Sequence, residues 1–258
     1  MMETMKEKCL FGPVQSRRLG RSLGVNLTPY KTCSLDCAYC ECGKTTDLTI
    51  VRKEYISCEF VQKSLKRYSE SSIFRSKPPS CITFAGLGEP TLHSGIGTIA
   101  QFIKNTFPEQ QLVLITNGTL FSKHPELFQE IQPVDIILPS LDAGTEEIFK
   151  KIDRPHPSIT LASLVDGLIQ LRRNFYGQIW LEIFIVEGVN DSNSELIQLR
   201  DAISLISPDR VQLNSLDRNP AEDWVNQTSP ERLHSLAEYL GAELLSKNST
   251  NIQVDALV

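Results

Sequence analysis

Short apolar, β-branched runs alternate with stretches of helical spacing along most of this chain. The runs are LGVNL at 23–27, CITFAG at 81–86, QLVLITNG at 111–118, VDIILPSLD at 134–142, QIWLEIFIV at 178–186 and RVQLNSL at 210–216. They show little polar alternation, as expected of strands covered on both faces. Between them, 57–70, 96–107, 125–131, 160–175 and 194–206 place apolar residues at helical spacing, and 230–247 predicts a closing helix. Alternation of this kind predicts βαβ units and a parallel sheet. Six strands are too many for a small flavodoxin-like sheet and two short of a full eightfold barrel. The expected fold is therefore α/β, an open partial (β/α)6 barrel of the TIM type. No repeat, low-complexity tract or linker interrupts the pattern. The chain is expected to form a single domain over 1–258, with a core at about 12–220 and a C-terminal helical extension at about 221–258.

In parallel barrels the working groups stand at the C-terminal ends of the strands. Here every such end is polar or carries glycine: a cysteine loop after the first, then AGLGEPTLH (85–93), TNGT (116–119), PSLDAG (139–144), Glu182 with VEGVND (186–191), and Asn214 with SLDRNP (215–220). Together they predict one lined pocket.

Composition changes this picture little. The chain is 41% hydrophobic and 22% charged, as ordinary globular proteins are. No apolar run is long enough to cross a bilayer, and the first twenty residues lack the apolar centre of a signal peptide, so a cytoplasmic location is expected. The net charge of −5 gives no general attraction to nucleic acid. It is uneven: residues 1–60 carry nine Lys/Arg against seven Asp/Glu, and residues 181–258 carry five against thirteen. The basic SRRLGR at 16–21 is read as a salt-bridged entry to the barrel rather than an anion site. His93, His124, His156 and His234 are scattered without ligand spacing, so surface or loop roles are expected.

The cysteines carry the chemistry. Cys9, Cys33, Cys37, Cys40, Cys42, Cys58 and Cys81 crowd the front of the chain and none follows. A disulfide framework would spread its bridges over the fold, so metal binding is the better reading. A four-thiolate zinc site normally draws on a second pair a dozen or more residues downstream, and no such pair exists. Three thiolates on one short loop can instead hold three irons of a [4Fe–4S] cube and leave the fourth open to a substrate or cofactor. The alternative is a non-catalytic zinc or structural iron–sulfur module in which Cys42 completes the site.

Cys33-x3-Cys37-x2-Cys40, with Tyr39 just before the third cysteine, resembles the motif of the radical S-adenosylmethionine (SAM) enzymes. Gly88-Glu89-Pro90 resembles that superfamily's glycine–glutamate–proline motif. Within the superfamily, GPVQSRRLGRSLGVNLTPYKTCSLDCAYC, GEPTLH, TNGTL, SLDA and RPHPSITLASLVDGL look most like the group of the wyosine-forming tRNA enzyme and its shorter relatives, from about Gly12 to Asn219-Pro220.

The resemblance implies a cluster held by Cys33, Cys37 and Cys40, with SAM on the open iron. It implies reductive cleavage of SAM to a 5′-deoxyadenosyl radical that abstracts hydrogen from an unidentified substrate, RNA and a small metabolite both being open. The implied SAM pocket takes Tyr39, Gly86, Gly88, Glu89, Asn117, Ser140, Asp142, Glu182 and Asn214. Of these, Glu182 reads equally well as a structural ion pair, Asn117 as a turn residue and Asn214 as a backbone partner. An external low-potential donor of the flavodoxin or ferredoxin type is implied as well. The second cluster of the wyosine enzyme is not carried over, because only Cys9 precedes Cys33. No lysine stands out as a Schiff-base candidate, Lys44 being close to the loop in sequence alone. Cys42 is expected to be a bystander.

Overall fold

All six expected strands form in a computed structural model that describes residues 9–245. The chain opens with an antiparallel hairpin, β1 (Leu10–Ser16) and β2 (Gly20–Val25), and then makes a two-residue parallel ladder, β3 (Thr32–Cys33) on β4 (Asp47–Leu48). Two helices, α1 (Cys58–Ser69) and α2 (Ser72–Ser76), lead to β5 (Cys81–Phe84). After a 3-10 turn at Pro90–Leu92 come α3 (Ile96–Thr106), β6 (Gln111–Thr116), α4 (Leu127–Glu130) and β7 (Ile136–Pro139). Then follow α5 (Glu146–Ile152), α6 (Leu161–Asn174), β8 (Gln178–Phe184), α7 (Asn193–Ile206), β9 (Arg210–Asn214), α8 (Pro230–Leu240) and β10 (Glu243–Leu244). One sheet runs β1-β2-β5-β6-β7-β8-β9-β10, parallel from β2 onward. It is a partial (β/α)6 barrel with an open seam, since β1 and β10 stand at opposite ends of the order.

Local chemistry explains the helix starts. Ser57, Thr160, Ser192 and Ser229 each accept a hydrogen bond from a first-turn amide, and Thr160 forms a reciprocal capping box with Ser163. Each such cap contributes about 1 kcal/mol. The apolar strand runs are buried as expected, β5 and β7 along their whole length, and the main hydrophobic cluster draws on residues from Cys9 to Leu240.

Besides the short elements β3, β4, α2 and α5, which the sequence reading did not list, two features depart from it. The hairpin strand β1 was not foreseen, because Gly12 and Pro13 interrupt its pattern. The closing helix expected over 230–247 stops at Leu240, where Gly241 takes φ +64° and the Ala242 amide donates to the Ala237 carbonyl, 2.8 Å. Glycine pays no Cβ penalty in that left-handed cap. The chain then extends as β10 beside β9, so the described part of the expected helical extension holds one helix and one strand; 246–258 lie outside the described residues. Among the described residues no helix is long and apolar enough to cross a membrane.

Candidate functional site

The cysteine loop leaves β3 and is closed at its base by the β3–β4 ladder. Its far side docks on the segment after α5: Ala38 N bonds Ile152 O at 2.7 Å, Asp36 N bonds Asp153 O at 3.0 Å, and His156 N bonds Ser34 O at 2.9 Å. The turn after β5 grips it from the other side, with Lys31 N on Leu87 O at 2.8 Å and Glu89 N on Thr32 O at 3.0 Å. The loop is thus a fixed platform for Cys33, Cys37 and Cys40, all of them free and partly buried.

The three thiols sit in different fields. Burial pushes Cys33 up to about 12, with help from the Glu89 charge. Burial also raises Cys37 well above the ordinary thiol range, and Asp153, 3.6 Å from its sulfur, adds to this. Cys40 goes the other way, down to about 5, because the Cys42 thiol and the Lys31 ammonium both donate to it. Soft sulfur donors of this number, presented from one rigid loop, suit an iron–sulfur cube, in which each cysteine serves its own iron. Among the described residues no three His, Cys, Asp or Glu converge tightly enough to hold a single ion.

Beside Cys40 opens a cavity of about 850 Å³. Of the residues nominated from sequence, Tyr39, Gly86, Glu182 and Asn214 line it. The Tyr39 ring stacks on Phe184 with centroids 4.0 Å apart, and its hydroxyl donates to Asp142. Asp142 therefore lies beneath the wall, buried, with its other oxygen accepting from Phe184 N at 2.7 Å; burial raises its carboxyl to about 6.

The other nominated residues brace the site from outside the cavity. Buried Glu89 accepts from Thr91 N (2.9 Å), Thr91 Oγ1 (2.6 Å), Thr116 Oγ1 (2.6 Å) and Asn117 N (2.8 Å), tying the end of β5 to that of β6. Asn117 donates to Ser34 Oγ at 2.9 Å and approaches Cys33 Sγ at 3.5 Å, so it touches the cysteine loop. Gly88 is pressed against Thr32, and Ser140 bridges to Glu182.

Glu182 pairs with Arg18, the structural alternative raised for it above. Arg17 pairs with Asp217 and reaches Asn214 Oδ1 at 3.4 Å. These contacts span the seam of the barrel, as expected of SRRLGR, and both arginines also line the cavity. His93 lies in the loop between the 3-10 turn and α3, as one expected role had it, but it is fully buried rather than at the surface, with Nε2 on Ile56 O at 2.7 Å and Nδ1 accepting from Gly95 N at 3.0 Å. Sequence reasoning missed Lys31, Phe184 and the cavity-facing arginines. For Lys31 the available signal was its place two residues before Cys33.

A family model described as the Radical SAM superfamily matches residues 27–200. A protein of Brachyspira hyodysenteriae named GTPase Obg is 37% identical over 238 residues, which cover 92% of this chain and 34% of that protein. The chain thus spans about a third of that relative's length. UPF0026 protein MJ1312 of Methanocaldococcus jannaschii is 29% identical over 244 residues, 94% of this chain and 74% of that one. Among solved structures, that of TYW1 with a lysine–pyruvate adduct bound has the same fold, with TM-score 0.62 and 15% identity over 85% of this chain and 72% of that chain.

Proposed function

The chain belongs to the radical SAM superfamily, whose members use a [4Fe–4S] cluster and SAM, and from that premise we propose that it is an enzyme whose cluster is held by Cys33, Cys37 and Cys40. The observation that carries the reading is the placement of these three free thiols on one braced loop, with Cys40 itself forming part of the wall of the 850 Å³ cavity. When bound, the cluster supplies the electron that cleaves SAM to a 5′-deoxyadenosyl radical, which takes hydrogen from the substrate.

This chain's residues position and enclose. Tyr39 and Phe184 form a flat apolar wall. The backbone at Ala85 and Gly86 offers an edge for the methionine amino group, and Asn214 a polar contact for ribose or adenine. Gly88, Glu89, Asn117, Ser140 and Asp142 hold the strand ends that carry these groups. A preorganised pocket of this kind aligns a radical with the bond to be broken. The same proposal includes a single domain, supported by a main hydrophobic cluster that draws on residues from Cys9 to Leu240, a cytoplasmic location, and an external flavodoxin- or ferredoxin-type donor.

Anaerobic reconstitution with iron and sulfide, followed by reduction and assay for 5′-deoxyadenosine from SAM, tests the reading. Alanine at Cys33, Cys37 or Cys40 is expected to abolish iron retention, and Cys42→Ala to preserve both iron and SAM cleavage. An intact cluster that yields no 5′-deoxyadenosine under reducing conditions overturns the reading.

A further inference from the structure

Lys31 is a buried lysine whose ammonium faces sulfur. It is 3% exposed, and Nζ lies 3.0 Å from Cys40 Sγ. Cys40 is one of the three proposed cluster ligands, and Lys31 stands two residues before another, Cys33.

The backbone is arranged to put it there. Lys31 takes φ +52°, the left-handed region that a β-carbon disfavours and where glycine or asparagine is the usual occupant. It is held in that state by its amide on Leu87 O (2.8 Å) and its carbonyl, which accepts from Thr46 N and Asp47 N (both 3.1 Å). A lysine kept in a strained conformation, with its charge turned inward onto thiols, points to a role for the charge itself.

We propose that Lys31 is a positioning residue that tunes the cluster through Cys40: its ammonium, bonded to the ligand sulfur, stabilises the more negative reduced state. Hydrogen bonds to ligand sulfur and local net charge are the levers by which a protein sets the potential of such a cluster. Raising the potential in this way brings the cluster within reach of a biological one-electron donor. The inference rests on the ligand assignment above, and the experiment separates the two.

Wild type, Lys31→Met, Lys31→Arg and Lys31→Gly are reconstituted anaerobically without SAM. Iron and sulfide are counted, and each cluster is titrated with dithionite while its EPR signal is followed. Failure of wild type to take up a cluster defeats the ligand assignment and the inference with it. With wild type loaded, Lys31→Met and Lys31→Gly are expected to keep the cluster but to be at least tenfold less reduced at a fixed poise, a shift of about 59 mV to the negative for one electron. Lys31→Arg is expected to stay near wild type. Lys31→Gly also relieves the left-handed strain, so a purely structural role for Lys31 would leave its potential unchanged. A wild-type potential in loaded Lys31→Met overturns the inference. If Lys31→Met does not hold the cluster, Lys31→Arg decides: retention at wild-type potential supports a role for the charge, and loss overturns it.

Discussion

Gly88 sits so close to Thr32 that a Cβ placed on it would overlap the Thr32 carbonyl oxygen, and the Thr28 hydroxyl occupies the same space. The turn after β5 is thereby clamped against the residue that precedes Cys33. Gly88→Ala must push the cysteine loop away or break the Glu89 N to Thr32 O bond. The expected loss is about 1–3 kcal/mol of stability in denaturant melts, with lower iron uptake on reconstitution. Wild-type iron uptake by the variant would show that the clamp is not needed for the loop.

Tyr39→Phe separates the two duties of that ring. The stack on Phe184 survives, but buried Asp142 loses one of its donors and keeps the Phe184 amide. A buried acceptor deprived of a partner costs about 1–3 kcal/mol, readable as a lower urea midpoint at unchanged m. Tyr39→Ala, which also removes the wall, is expected to be worse in stability and to weaken SAM binding measured by equilibrium dialysis.

Arg18 and Glu182 test whether a cavity-facing carboxylate serves the fold or the cofactor. Burial lowers the Arg18 guanidinium to about 10, so it remains charged beside Glu182 at neutral pH. Arg18→Met leaves Glu182 without its partner and should destabilise by up to about 3–5 kcal/mol, while Arg18→Met with Glu182→Leu should recover most of that loss. SAM affinity that recovers together with stability in the double variant would restrict Glu182 to the ion pair.

His93 gives a pH dependence whose sign is fixed. Burial lowers its protonation constant below the ordinary 6.5, against the Ile56 carbonyl bond and the Glu54 and Glu130 charges, which favour the proton; Arg52 opposes it. The unfolded chain therefore takes up a proton that the folded one resists. Stability from this site is complete above about pH 6.5 and declines as the pH falls toward the folded-state value. His93→Gln should flatten the slope of urea midpoint between pH 7 and pH 5, at the expense of stability at pH 7. An unchanged slope would place the acid sensitivity elsewhere.

The barrel strands were legible because they are apolar along their length, and the cysteine loop because its spacing is local. What escaped depends on direction or on contacts distant in sequence. Glu89 looked like a ligand to the cofactor, yet its oxygens are occupied by Thr91, Thr116 and the Asn117 amide, partners that appear only once β5 and β6 lie side by side. Lys31 was invisible because one backbone angle decides whether its ammonium meets solvent or sulfur. The closing helix expected over 230–247 ends at Gly241, and only the pairing of Glu243 with Gln212 shows that the chain turns there to become a strand.

The seam of the barrel has a further consequence. A closed barrel has a circumference set by its strand number and stagger, and widening it means breaking a backbone ladder. Among the described residues no strand pairing joins β1 to β10, and Arg17 and Arg18 reach Asp217 and Glu182 from the hairpin instead. On this side, side-chain ion pairs rather than a backbone ladder therefore border the lumen. The sheet bearing the cysteine loop is held by backbone ladders on its other side.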